Sequence, residues 1–123
     1  CPSQKEPPMS VISDLARAQL DAYNQGDLDA FCACYHREIR VLDEHGTCTL
    51  EGIKAFRVRY GGMFERFEQV QASVPHRLSQ GRHCVDLEHY SRVERSTQDR
   101  SGGTVLVRYT ELDGLIASAQ FFG

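Results

Sequence analysis

Three residues of this 123-residue chain have the types and spacing for acid/base chemistry: Asp43, His89 and Arg108. Asp43 lies in IRVLDEHG, residues 39–46, where it shares a strand phase with Ile39 and Val41. Successive strand residues point to opposite faces, so the face that buries those two aliphatic side chains also receives the carboxylate. His89 lies in the segment 83–94, whose odd positions are His83, Val85, Leu87, His89, Ser91 and Val93 and whose even positions include Asp86, Glu88, Arg92 and Glu94. Val85, Leu87 and Val93 predict that the odd phase faces the core and carries His89 inward with Asp43. A buried carboxylate without partners raises its pKa, whereas a nearby imidazolium or guanidinium stabilises its charged form. His89 and Arg108 are the candidates for that role. Arg108 stands in TVLVRYTEL, where both phases are largely apolar and its facing is open. Polar groups converging in an apolar concavity make a small-molecule pocket, and an aspartate beside such partners makes one able to move protons.

Composition narrows the alternatives. With 41% apolar and 25% charged residues the chain is an ordinary globular one, about one domain long. A net charge of −3, with Lys and Arg scattered along the chain, leaves no electrostatic footprint for nucleic acid. No apolar run reaches the length of a membrane span or a signal sequence, so no membrane partner is expected. The cysteines at 1, 32, 34, 48 and 84 form no CxxC pair and are odd in number, which predicts free thiols packed as small apolar side chains in a reducing cytoplasm. Cys32 and Cys34, two apart on a predicted helix, point about 200° from one another and are not expected to share a metal. Phosphate-cradling loops, a nucleophile elbow and HExxH are all missing, so no nucleotide, flavin or metal cofactor is expected.

The elements that would position these residues follow from periodicity. CPSQKEPP reads as a loose tail over residues 1–9, with Met9 a plausible natural start, and a single domain is expected over 10–123. Val11, Leu15, Ala18 and Ala22, then Leu28, Phe31, Cys32 and Tyr35, recur at helical spacing and predict two helices broken at Gly26, with Asp27 capping the second. Short strands are predicted at 39–43 and 47–50, and a third helix from Glu51 to about Phe67. Long strands follow near 70–79, 83–95, 103–112 and 115–122, separated by Gln80-Gly81, a polar run over 96–103 and Asp113-Gly114. His36 and His45 read as exposed loop residues, and His76 alternates with Val70, Ala72 and Val74. Helices at the front and an antiparallel meander behind make an α+β fold with helices covering one concave face. Val105, Val107 and Tyr109 read as outer positions, so the convex face is expected to pack against a second subunit as a homodimer.

Taken in order, YNQGDLDAF, VLDEHG, EGIKAFRVRY and VRYTELDGLIASAQFFG resemble the nuclear-transport-factor-2-like superfamily, in particular its ketosteroid-isomerase-like and SnoaL-like polyketide-cyclase branches. The resemblance runs over nearly the whole chain from Ser10. It implies a cone-shaped α+β barrel in which helices close a strongly bent sheet around an apolar cavity, the cystatin-like arrangement. It also implies that Asp43 is the general base, that Tyr35 and Tyr60 support it, and that Gln19 and Arg108 stand where ketosteroid isomerases keep their oxyanion donors. Asp43 with His89 resembles the acid/base pair of the SnoaL-like cyclases. Leu87, Ser118, Gln120 and Phe122 are expected to line the cavity with Gln19, Tyr35 and Tyr60. The function expected is cofactor-free acid/base chemistry on a hydrophobic carbonyl compound, of isomerase or cyclase type. Epoxide-hydrolase-like chemistry by Asp and Arg is a further option. The alternative is a module that binds a hydrophobic ligand or another protein without catalysis.

Overall fold

The computed structural model describes residues 11–123; the tail read over 1–9 lies outside the described residues. Helix α1 (Val11–Gln25) buries Ile12, Ala16, Gln19 and Ala22, a stripe three or four residues apart that fits one helical face. It ends where Gly26, at φ +69°, lets the chain reverse, and Asp27 N–H closes on the Ala22 carbonyl at 3.0 Å. Asp27 then caps α2 (Leu28–Ala33), its carboxylate accepting from Ala30 N–H at 3.1 Å. Strand β1 (Tyr35–Leu42) follows, so Tyr35 belongs to a strand that starts earlier than periodicity predicts. His36 is accordingly buried in it, near Asp113, and not in an exposed loop. A turn over 43–47 leads to β2 (Cys48–Glu51) and α3 (Ile53–Arg66). The remaining strands are β3 (Phe67–Gln80), β4 (His83–Glu94), β5 (Arg100–Leu112) and β6 (Leu115–Phe122).

The six strands form one curved sheet in the order β2-β1-β6-β5-β4-β3 that does not close on itself, leaving β2 and β3 as edges. Every pairing is antiparallel except β1 with β6. The helices cover the concave face. Between them lies a core of Ile12, Ala16, Phe31, Ile39, Phe56, Val107, Ile116 and Ala119, all nearly or wholly buried. Phe31 is its hub, with ring centroids 4.9 Å from Tyr60, 5.1 Å from Tyr35, 5.7 Å from Phe56 and 6.0 Å from Tyr23.

The phase of β4 is the opposite of the one expected. Cys84, Asp86 and Glu88 pair with Tyr109, Val107 and Val105 on the concave face, whereas Val85, Leu87 and His89 pair with Arg108, Leu106 and Thr104 on the convex one. Val107 and Tyr109 are buried against the helices, which corrects their reading as outer positions. Val93 is buried as expected, at the far end of the strand. The even phase tolerates a charge because Asp86 is fully satisfied: Arg77 donates to both its oxygens, at 2.7 and 2.9 Å, and the Cys84 thiol donates at 3.3 Å. The convex face keeps apolar side chains that remain accessible, among them Leu78 at 77% and Leu106 at 39% exposure.

Candidate functional site

A cavity of ≈ 280 Å³ opens between the helices and the concave face. Helix α1 contributes Gln19 and Tyr23, α2 and the start of β1 contribute Phe31 and Tyr35, and α3 contributes Tyr60 and Met63. Across from them β4 presents Glu88, Tyr90 and Arg92, β5 presents Val105 and Tyr109, and β6 presents Phe121. The lining is therefore aromatic, with a few polar groups at intervals, as small-molecule sites are.

Glu88 is the ionisable group that this setting changes most usefully. Loss of solvent on burial, and then the neighbouring Asp86 charge, raise its carboxyl from 4.5 to about 7. It makes no side-chain hydrogen bond or ion pair among the described residues, so both oxygens are left for a ligand. Burial first, and Glu88 second, hold the Tyr109 hydroxyl well above its ordinary value, and burial does most of the same at Tyr60. Tyr23 is raised to about 12, again by burial and then by Glu88. These phenols stay neutral donors at any physiological pH, and the hydroxyls of Tyr23, Tyr60 and Tyr109 have no hydrogen-bond partner among the described residues. Tyr35 is different: its hydroxyl donates to Gln19 Oε1 at 2.9 Å, while Gln19 Nε2 donates to the Ala16 carbonyl at 3.0 Å. Gln19 and Tyr35 thus brace one another as part of the wall.

A half-buried carboxyl raised to about 7, lining one cavity with neutral hydroxyls and aromatic rings, is an arrangement for moving a proton. Residues 16–119 match the SnoaL-like domain family. The chain is a SnoaL-like protein. No curated protein matches it. Among solved structures, this SnoaL-like chain is similar to an uncharacterised cystatin-fold protein of Novosphingobium aromaticivorans, with 20% identity, a TM-score of 0.79, and 93% of this chain and 98% of that one covered. A hypothetical protein of Catenulispora acidiphila with a ketosteroid isomerase-like fold, solved with trimethylamine, gives 13% identity and a TM-score of 0.76 over 89% and 85% of the two chains. An LEH-like epoxide hydrolase of M. tuberculosis gives 14% and 0.78 over 91% and 80%. At these identities the likeness establishes the shared fold.

Within the SnoaL-like domain the expected site residues separate. Gln19, Tyr35 and Tyr60 line the cavity. Asp43, His89, Arg108, Leu87, Ser118, Gln120 and Phe122 are not among its lining residues. Asp43 heads the turn after β1, where its carboxylate accepts from the backbone N–H groups of His45 at 2.9 Å and Thr47 at 3.0 Å. Its place is set by the turn, because an Asp side chain mimics a backbone acceptor there. Arg108 does approach it, but through Gln120: Arg108 Nη2 donates to Gln120 Oε1 at 3.0 Å, and Gln120 Nε2 donates to the Asp43 carbonyl at 3.2 Å. The outward phase that carries Arg108 also carries Leu87 and His89, which is exposed and lies 2.8 Å from Thr104 Oγ1. The Asp/Arg pair imagined for epoxide chemistry therefore sits outside the chamber. Sequence reading missed Glu88, Tyr23, Tyr109 and Arg92 as site residues. The signal for them was present: Glu88, Tyr90 and Arg92 share one phase of one strand.

Proposed function

We propose that this SnoaL-like protein is a cofactor-independent acid/base enzyme of isomerase or cyclase type, acting on a hydrophobic carbonyl compound held in the tyrosine-lined cavity. The observation that carries the reading is Glu88, an unpaired carboxyl raised by burial to about 7 inside that cavity. In the ionised form Glu88 takes a proton from the carbon next to the carbonyl, and the electron pair moves to the carbonyl oxygen. Neutral hydroxyls of Tyr109, Tyr60 or Tyr23 stabilise that enolate by donating hydrogen bonds to its oxygen. From a β,γ-unsaturated ketone the enolate is a dienolate, and protonated Glu88 returns the proton to its γ carbon, shifting the double bond. In the cyclase outcome the enolate carbon attacks a second carbonyl of the same molecule, a C–C bond forms as that C=O π bond breaks, and the resulting alkoxide takes the proton from Glu88. In both outcomes the proton that Glu88 removes is given back, and no oxidant or reductant is needed.

Two subsidiary readings belong with it. The accessible apolar residues Leu78, Val85, Leu87, Leu106 and Phe122 on the convex face support a homodimer through that face, which sedimentation at micromolar concentration tests. Cys32, Cys34, Cys48 and Cys84 are free, which fits a reducing compartment such as the cytoplasm, and no helix among the described residues is long and apolar enough to cross a membrane.

The test is solvent exchange. Hydrophobic cyclic ketones such as 2-tetralone are incubated with the protein in D2O, and deuterium incorporation next to the carbonyl is followed by NMR. Exchange should exceed the buffer rate, climb with pH through about 7 as Glu88 ionises, and return to the buffer rate in Glu88→Gln. Binding of the ketones without exchange in the wild type would favour a non-catalytic binder instead.

A further inference from the structure

A second cavity, of ≈ 400 Å³, lies against the first and is lined by Arg59, Arg66 and Arg92 with Tyr60, Met63 and Phe67. Tyr60, Met63 and Arg92 line both chambers, so the two share a wall. Three guanidiniums in one concavity are unusual in a chain of net charge −3, since like charges repel unless each finds a counter-charge. Only Arg66 has one here, its Nε donating to Glu94 at 2.9 Å. Arg59 and Arg92 make no ion pair among the described residues.

Arg92 is held in place without spending its donors. Its guanidinium carbon stands 4.4 Å from the Phe67 ring centroid and 5.6 Å from that of Tyr90, contacts that hold the group without a hydrogen bond from its N–H groups. Its buried Nε has no hydrogen-bond partner. Buried donors are almost always satisfied, and none of the other N–H groups of this guanidinium is bonded within the described residues either, so Arg92 keeps donors for a group that enters the cavities it lines. The partner that suits a guanidinium edge is an oxyanion with two oxygens in one plane.

We propose that the arginine-lined chamber binds the carboxylate of an amphiphilic substrate whose apolar, carbonyl-bearing body occupies the tyrosine-lined cavity, with Arg92 at the junction. This rests on the reading of that cavity as a substrate site. Glu88 and Arg92 are four residues apart on one strand face, about 13 Å between Cα atoms at ~3.3 Å per residue. The reacting carbonyl is therefore separated from the carboxylate by several bonds, which selects aryl keto acids over small α-keto acids.

The test compares 4-(2-naphthyl)-4-oxobutanoate with its neutral amide by titration calorimetry, on wild type, Arg92→Gln and Arg59→Gln, with far-UV circular dichroism to confirm that the variants fold. The acid should bind roughly tenfold more tightly than the amide, with a preference that shrinks as salt is added. In either variant the ratio should fall toward one. If the amide binds and the acid is not preferred, or the preference survives both substitutions, the carboxylate site is refuted while the cavity reading stands. If neither compound binds, both are refuted together. Inorganic phosphate displacing the acid at equal concentration would also overturn the assignment, in favour of a phosphate site.

Discussion

Glu88 couples the site to the stability of the whole domain, and the coupling has a definite sign. The folded state binds its proton more tightly than the unfolded chain does, because burial and then the Asp86 charge raise the carboxyl from 4.5 to about 7. The stabilising effect of that proton is therefore fully present below pH 4.5 and is lost as pH rises to about 7. At about 1.4 kcal/mol per unit, the loss is on the order of 3 kcal/mol, a large part of the roughly 5–15 kcal/mol that holds a domain folded. Other groups titrate over the same range, so the wild type is compared with Glu88→Gln, which keeps the shape and cannot ionise. Urea unfolding at intervals from pH 4.5 to 8.5 would be followed by circular dichroism or tyrosine fluorescence, the chain having no tryptophan. The variant should gain on the wild type by about 3 kcal/mol across that range, most of it before pH 7. A difference that stays constant with pH would mean that Glu88 is not desolvated in the folded state, and the proton-transfer reading would lose its basis.

Two further outcomes separate packing from chemistry. Asp43→Ala removes the acceptor of two turn N–H groups and should cost about 1–2 kcal/mol in urea unfolding while leaving ketone binding in the cavity unchanged; a lost ligand with intact stability would restore Asp43 as a site residue. Phe31→Ala empties the hub of the aromatic cluster and should cost about 3–5 kcal/mol, and a loss below about 1 kcal/mol would mean that the cluster relaxes into the space.

The order of elements was legible because each leaves a local mark: Gly26 and Asp27 at the break between helices, Gly81 in the β3–β4 turn, Asp113-Gly114 between the last strands. Fold class followed from that order and from the family resemblance. Gln19, Tyr35 and Tyr60 were likewise within reach of the sequence, since the apolar stripes of α1 and α3 and the start of β1 turn toward the same space. What could not be read locally was which face each long strand shows to that space.

The reason lies in β3. Val70, Ala72 and Val74 alternate, and extending their phase would place His76 and Leu78 inward with them. The pairing with β4 shifts between Ser73 and His76, around Pro75, which has no N–H to give the ladder. The shift moves His76 and Leu78 to the convex face opposite Leu87 and Val85, and brings Arg77 inward onto Asp86. One residue of slip exchanges the two faces of everything that follows. Hydropathy cannot detect the exchange, because Val85 and Leu87 make the convex face of β4 as apolar as a core. The concave face of the same strand carries Asp86, Glu88 and Arg92, which in a linear reading look like a solvated edge. Proline within a strand pattern was the available warning. A strand whose charged phase opposes the buried Val107 and Tyr109 is, by the same logic, a strand that turns that phase inward, Asp86 onto Arg77 and Glu88 into the cavity.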